Sequence, residues 1–328
     1  MTDAPVNRRI DIFGFCTDAG APVRGSGMGP EALRVAGLIE TLAELGHDVD
    51  DNGDIRFPRK RVASQPAHWR LPSQRQAEVL AIAADGSACG YDSLKDGAVP
   101  LFLGGDHAIS MGSVSGVARH CAEVGKELFV LWLDAHTDFN TPDISPSGNL
   151  HGMALALLCG EPQFGDAFGG SWRGAVDPRN VAIFGARSID RDERALLAER
   201  GIDVMDMRLI DEVGATELMR RFMERVERAN GHLHLSLDVD AMDPEIAPGV
   251  GTTVPGGLNY REAHLVMEML HDSGRVGSVD IVELNPFLDH AGKSANLLVG
   301  LVGSLFGRQI VPRKAGVAAT QRPVKASV

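Results

Sequence analysis

The sequence lacks the features of a nucleic-acid-binding, disulfide-rich or membrane-spanning protein. Its 328 residues hold 32 lysines and arginines against 44 aspartates and glutamates, and the net charge of −12 argues against a surface that binds phosphates. The four cysteines are scattered without a CxxC pair, which favours a reducing compartment over a disulfide framework. No apolar stretch reaches the ~20 residues that span a bilayer, and the first residues do not resemble a signal peptide. We therefore expect a cytoplasmic protein without nucleic-acid or membrane partners.

Short apolar runs alternate with helical patterns along almost the whole chain. The run Leu128–Leu133 (LFVLWL) is apolar throughout, as buried parallel strands are. Strands separated by helices indicate βαβ units, hence a parallel sheet with helices on both faces. No linker divides the chain, so we expect one domain over 1–328, with a core at about 9–306 and a tail at 308–328. The pattern predicts strands at 9–15, 99–103, 128–133, 181–184, 202–205, 232–237 and 276–282, helices at 30–45, 76–84, 109–124, 152–158, 192–200, 215–229, 260–271 and 294–305, and a loop at 50–74.

Acidic residues and histidines follow directly after four of the apolar strands. The four segments are LFLGGDH (101–107), LWLDAHTDFN (131–140), LSLDVDAMDP (235–244) and DIVELNP (280–286). Ligands of open α/β sheets bind outside the carboxyl ends of the strands, so these ends would converge on one crevice. Asp134, His136 and Asp138 are spaced by two, and would point to one side if the strand continued through them. Asp238 and Asp240 repeat the spacing. A single such pair more often caps a helix, but two sets preceded by GGDH favour a binding site.

The candidate ligands are rich in carboxylates, include two imidazoles and contain no thiolate. Oxygen-rich sites with some nitrogen suit Mn(II) better than structural zinc. Four aspartates carry four negative charges, which two divalent ions nearly balance, and two ions can share a hydroxide and lower its pKa. The sequence therefore predicts a two-metal hydrolase with His107, Asp134, His136, Asp138, Asp238 and Asp240 as ligands.

Two further residues near these segments have open roles. His151, in SGNLHGM, could cap or pack a helix, or it could transfer a proton. Glu283 follows a buried strand, where a carboxylate needs a partner, either a core arginine or a cationic substrate. His232 and His234 lie inside a predicted strand, and we interpret them as structural.

Several motifs together resemble those of the ureohydrolase (arginase-like) family, and of its arginase branch in particular. They are GGDHAIS (104–110), DAHTDFN (134–140), SPSGNLHGMALA (145–156), SLDVDAMDP (236–244) and ELNP (283–286), and the resemblance covers about 9–306. It implies a three-layer α/β/α fold around a mostly parallel sheet of about eight strands, and a homotrimer or homohexamer. It also implies that a hydroxide bridging two Mn²⁺ ions per subunit hydrolyses L-arginine to L-ornithine and urea.

The resemblance also implies roles for residues at matching positions. Asp134 and Asp238 would bridge the two ions, with His107 and Asp138 completing the more buried site and His136 and Asp240 the second. Asp138 would hold a proton, His151 would pass one to the leaving amine, and Glu283 would hold the guanidinium group. The residues implied to contact the substrate are His136, Asn140, Ser147, Asn149, Asp190, Glu193, Thr252 and Glu283.

Two alternatives to arginine hydrolysis remain. A sister amidinohydrolase acting on agmatine, guanidinobutyrate or formiminoglutamate would share the metals and Glu283, but Asn140, Ser147, Asn149 and Asp190 favour arginine. A catalytically silent metal-binding scaffold is opposed by the complete ligand set. The segment 166–176 is longer and richer in glycine than the family pattern, which bears on the substrate preference.

Overall fold

A sheet of eight parallel strands forms the centre of the protein in the computed structural model, which describes residues 7–56, 72–164 and 175–311. The strand order is β2-β1-β3-β8-β7-β4-β5-β6. This confirms the predicted parallel sheet and its size. The strands are β1 (Arg9–Phe15), β2 (Asp48–Ile55), β3 (Val99–Leu103), β4 (Leu128–Leu133), β5 (Val181–Ala186), β6 (Asp203–Asp206), β7 (His232–Asp238) and β8 (Val276–Val282).

Helices cover both faces of the sheet and complete the three layers. The helices are α1 (Gly29–Val35), α2 (Leu38–Glu44), α3 (Pro72–Lys95), α4 (Ser110–Glu123), α5 (Ala154–Leu158), α6 (Arg191–Arg200), α7 (Met207–Val213), α8 (Ala215–Arg228), α9 (Tyr260–Ser273) and α10 (Lys293–Leu305). Alternate residues of β4 show the division, since Leu131 packs in the core on the side of α8–α10 and Trp132 in the core on the side of α4 and α5. The first side also carries α1, α2 and α7, and the second carries α3 and α6.

Several elements differ from the sequence prediction, and α7 (Met207–Val213) was not predicted. The helix predicted at 30–45 is two helices, because Gly37 adopts a left-handed conformation with φ 88° and redirects the chain. The helix predicted at 76–84 extends over Pro72–Lys95. The loop predicted at 50–74 is wrong over 50–55, where β2 (DVDDNGDI) forms a polar strand at the sheet edge that no apolar pattern marks. It is also wrong over 72–74, where α3 begins, and 57–71 lie outside the described residues.

The sheet order brings the four acidic segments together. They follow β3, β8, β7 and β4, which are the four adjacent central strands, and all four end at the same edge because the sheet is parallel. Most of the tail at 308–328 and of the glycine-rich segment at 166–176 lies outside the described residues. Within the described part of the chain, no helix has the length and apolar character to cross a membrane.

Candidate metal centre

His107 lies at the centre of the candidate site. After β3 the chain passes close to a neighbouring loop, where a Cβ on Gly105 would lie 1.8 Å from the Thr17 carbonyl oxygen, so only glycine fits. A short 3₁₀ turn over His107–Ile109 follows, capped by the Asp106 carboxylate, which accepts from Ala108 N. The His107 ring is fully buried and stacks on Trp132 with a centroid distance of 4.1 Å.

Three carboxylates surround one nitrogen of that ring. His107 Nδ1 lies 3.1 Å from Asp134 Oδ2, 3.0 Å from Asp138 Oδ2 and 3.1 Å from Asp238 Oδ2. Nδ1 has no hydrogen-bond partner of suitable geometry, although it is buried. A buried ring nitrogen without a hydrogen-bond partner, surrounded by carboxylate oxygens, fits the binding of a divalent cation.

A second group of possible ligands shares Asp134 with the first. His136 Nδ1 lies 3.0 Å from Asp240 Oδ2 and 3.5 Å from Asp134 Oδ1. Thr252 Oγ1 donates to Asp240 Oδ2 at 2.9 Å, which orients that carboxylate. His107, Asp134 and Asp238 thus form one group able to hold a metal ion, and Asp134, His136 and Asp240 form another.

The charges of the site also fit two cations. Burial, together with the charges of Asp240 and Asp134, raises the pKa of Asp238 well above its usual value. Burial and the charge of Asp134 raise the pKa of Asp240 to about 6. Burial disfavours the charged form of His136, but the carboxylates of Asp134 and Asp240 outweigh it and raise its pKa to about 12. The buried acids thus repel one another and need positive charge beside them.

Turns, rather than a continued strand, direct these side chains into the site. β4 ends at Leu133, and Asp138 has φ 46°, a left-handed conformation that is uncommon outside glycine. Asp240 lies in a 3₁₀ turn over Val239–Ala241, which the Asp238 carboxylate caps by accepting from Asp240 N at 2.8 Å. β4 thus has its predicted bounds and does not continue through 134–138, so turns and not strand alternation bring the predicted residues together.

Glu283, which is buried, and His151, which is partly buried, form a pair beside the first group. Glu283 Oε1 lies 2.8 Å from His151 Nδ1 and accepts from His107 N at 2.9 Å. Burial disfavours the charged imidazole, but the charge of Glu283 outweighs it and raises the pKa of His151 to about 9. Of the two partners considered for Glu283, the structure shows no core arginine among its described contacts; it shows His151 instead. Glu283 also has φ 66°, a strained conformation of the kind that clusters at functional sites.

Of the eight predicted substrate residues, His136, Thr252 and Glu283 lie beside the ligand groups, and the other five form two further groups. Asn140 Nδ2 donates to Asp190 Oδ2 at 3.0 Å, so these two lie together. Glu193 is buried, and its carboxylate accepts from Phe139 N at 2.8 Å and from Asp190 N at 3.2 Å. Glu193 thereby anchors the backbone beside Asn140 and Asp190.

The second group lies on the segment before His151. Ser147 Oγ accepts from Asn149 N at 3.2 Å, and Asn149 Oδ1 accepts from Arg75 Nη2 at 3.2 Å. Arg75 also donates to the carbonyls of Ala19 and Ala21, so it joins this segment to the loop after β1.

Sequence reasoning missed several residues that support the ligands. Trp132 Nε1 donates to Asp134 Oδ2 at 3.0 Å, and Asp106 Oδ2 accepts from Gly20 N at 2.7 Å. Ser236 and Asp280 lie behind His107 and are fully buried. The sequence did carry a signal for Ser236 and Asp280, since a serine and an aspartate within apolar parallel strands need polar partners.

Comparisons of the sequence and the fold with known proteins point to one family. The sequence profile of the arginase family matches residues 8–307. An arginase from Brucella melitensis is 47% identical over 304 residues, covering 92% of this chain and 97% of the relative. An arginase from Agrobacterium fabrum is 46% identical over 316 residues, covering 93% of each chain. The solved arginase of Bacillus caldovelox has a TM-score of 0.83 and 40% identity, covering 93% of this chain and all of that one.

Proposed function

The chain belongs to the arginase family, and from that premise we propose that it hydrolyses L-arginine to L-ornithine and urea with two manganese ions per subunit. The observation that carries the proposal is the pair of overlapping ligand groups, in which Asp134 lies between His107 on one side and His136 on the other. Two ions would be held by His107, Asp134, Asp138 and Asp238, and by Asp134, His136, Asp238 and Asp240.

The metal ions and the chain have separate parts in the reaction. When bound, the divalent ions supply a deprotonated water as nucleophile and stabilise negative charge in the transition state. Glu283 holds the guanidinium group, because a buried carboxylate at this edge attracts a planar cation and can accept two of its N–H groups. Asn140, Ser147 and Asn149 bind the α-carboxylate of the substrate, and Asp190 lies near its α-amino group.

Two residues of the site move protons in this proposal. Asp138 Oδ2 lies 3.0 Å from His107 Nδ1, beside the metal ligands, where it can hold a proton from the attacking water. His151, whose pKa the charge of Glu283 raises to about 9, carries a proton at neutral pH and can give it to the leaving amine. Proton transfer of this kind contributes typically about 10²–10⁴-fold to a rate.

A substrate panel tests the proposal. Protein stripped of metal by a chelator and then supplied with Mn(II) should release urea from L-arginine, with agmatine and guanidinobutyrate as poor substrates. Asp238→Asn, which removes a bridging ligand, should abolish the activity, and Asp192→Asn, the same change on the exposed side of α6, should not. Urea release confined to agmatine would identify a sister amidinohydrolase. Mn(II)-loaded protein without activity on any guanidino compound would favour the scaffold.

We further propose that the chain is cytoplasmic, folds as one domain and assembles as a homotrimer or homohexamer. All four cysteines are unpaired, which supports a reducing compartment. Light scattering coupled to size-exclusion chromatography measures the assembly directly.

A further inference from the structure

A chain of buried polar side chains extends from the metal centre into the sheet, beneath α4. His107 Nε2 lies 2.9 Å from Ser236 Oγ, and Ser236 Oγ donates to Asp280 Oδ2 at 3.4 Å. Ser236 on β7 and Asp280 on β8 are directly opposite in the parallel register. Both side chains are fully buried, so water does not compete for these contacts.

Asp280 accepts hydrogen bonds from serine hydroxyls and also lies beside an imidazole. Its Oδ2 accepts from Ser110 Oγ at 2.6 Å and from Ser113 Oγ at 2.9 Å, both on α4. On the other side His234 Nε2 lies 3.2 Å from the same oxygen. Burial would raise the pKa of Asp280, but His234 and the serine hydroxyls outweigh it and lower the pKa, which keeps the carboxylate charged.

A charged carboxylate fixes the direction of each hydrogen bond in the chain. Asp280 can only accept, so Ser236 must donate its one proton to it. Ser236 then has only lone pairs left for His107, and His107 Nε2 must be the donor. A neutral imidazole carries one ring proton, so Nδ1 is left with a free lone pair, and Nδ1 is the atom that faces Asp134, Asp138 and Asp238.

We propose that Asp280, acting through Ser236, is a positioning residue that holds His107 in the tautomer whose Nδ1 can bind metal. This inference rests on the proposed metal function. The carboxylate also places a fixed negative charge behind the imidazole, which raises the basicity of Nδ1. Partners behind a ligating histidine typically contribute about 10–100-fold to metal affinity.

His234 adds a second cross-strand contact next to the one between Ser236 and Asp280. Its Nδ1 lies 2.9 Å from Ser278 Oγ, whose other contact is His232 Nε2 at 3.1 Å. Ser278 is opposite His234 in the register, as Asp280 is opposite Ser236, so two cross-strand pairs stack along β7 and β8. His234 is thus held with Nε2 towards Asp280. The two histidines interpreted from sequence as structural are therefore linked to the metal centre.

The test is the affinity of the purified protein for Mn(II), measured from the electron paramagnetic resonance signal of the free ion. Asp280→Asn keeps the shape of the side chain and removes its charge, and Ser236→Ala removes the link. Each should raise the Mn(II) dissociation constant about 10–100-fold. The double variant should bind Mn(II) only slightly more weakly than either single variant, because both changes interrupt the same chain of hydrogen bonds. At saturating Mn(II) the KM for arginine should be unchanged.

Two controls separate positioning from a general defect in the core. Ser115→Ala removes a buried hydroxyl from α4, the helix that also carries Ser110 and Ser113. The Ser115 hydroxyl donates to Gly112 O and does not reach Asp280, so this variant should bind Mn(II) as the unaltered protein does. Ser236→Thr keeps the hydroxyl and should retain most of the affinity.

Three results would overturn the inference while leaving the proposed function intact. They are unaltered Mn(II) affinity in folded Asp280→Asn and Ser236→Ala, fully additive losses in the double variant, or an equal loss in Ser115→Ala. Failure of the unaltered protein itself to bind Mn(II) would instead contradict the proposed function.

Discussion

At the scale of single residues, the pair of Glu283 and His151 predicts a pH dependence of stability. The charge of Glu283 raises the pKa of His151 to about 9, above the ~6.5 of a histidine in an unfolded chain. The folded protein therefore binds a proton that the unfolded chain releases between these values. The contribution of the pair is fully present below about pH 6.5 and is lost as the pH rises through about 9.

Glu283→Gln isolates this contribution. The amide oxygen can still accept a hydrogen bond but carries no charge, so the pKa of His151 should fall, by about 1–3 units. Urea unfolding of metal-free protein should then show that the variant is less stable near pH 6.5, and that the difference from the unaltered protein shrinks towards pH 10. A constant difference across that range would contradict the assigned pairing.

Glu193→Gln is a matched control for the same chemical change. Burial raises the pKa of Glu193 to about 7, so its protonation affects stability between its unfolded value of ~4.3 and 7. The control should therefore change the pH dependence only below about pH 7.

The individual residues of the site also explain why the sequence predicted the ligands but not their geometry. Strand ends with alternating acidic residues identify the ligands by chemical type, and the structure brings all six together. The positive φ of Asp138 and Glu283 was not predictable, because those conformations are uncommon for these residues and are held by tertiary contacts. The contact of Glu283 with His151 joins segments 132 positions apart, which no local pattern reports.

At the scale of elements, two glycines on α4 set its distance from α3. A Cβ on Gly116 would lie 2.2 Å from Ser87 O, and one on Gly112 would lie 2.2 Å from Ala83 O. Both atoms belong to the α3 backbone, which cannot rotate away as a side chain can. Gly116→Ala should therefore push the helices apart and reduce the free energy of unfolding by about 1–3 kcal/mol, as measured by urea unfolding.

Gly300→Ala is the control, since it makes the same change inside α10, where the nearest atom would be His264 Cε1 at 3.6 Å. It should stabilise the protein by about 0.4–1 kcal/mol, because alanine restricts the unfolded chain. Equal losses in both variants would mean that helix contact is not the cause at Gly116.

The strands in the middle of the sheet were predicted closely, and of the two edge strands β6 was predicted within one residue and β2 was missed. β3, β4 and β8 were predicted with the observed bounds, because strands of a sheet covered on both faces are apolar throughout. β2 was missed because an edge strand of aspartates and asparagine carries no apolar pattern. The long helix α3 was predicted only in part, since its glycines and small residues weaken the helical signal but allow close packing on α4.

At the scale of the whole molecule, the fold concentrates negative charge where the four central strands end. Asp106 and all four ligand aspartates are buried there beside His107, at a real cost in desolvation. The unfolded chain carries no preformed site, so divalent ions that bind the folded protein should stabilise it. The gain is RT ln(1 + [Mn²⁺]/Kd), about 2.7 kcal/mol when the ion is at 100 times its dissociation constant.

Thermal unfolding at increasing Mn(II) concentrations measures this linkage. The Tm should rise with the logarithm of the free Mn(II) concentration, by about 5 °C at 100 times the dissociation constant, and a chelator should reverse the rise. Asp238→Asn should remove most of the response, because Asp238 Oδ2 lies 3.1 Å from His107 Nδ1 in the first ligand group and Oδ1 accepts from Asp240 N beside the second. Asp192→Asn on the exposed face of α6 should keep the response. A full response in Asp238→Asn would mean that the stabilising ions bind elsewhere, since the loss of this carboxylate removes one of the negative charges that would balance two divalent cations.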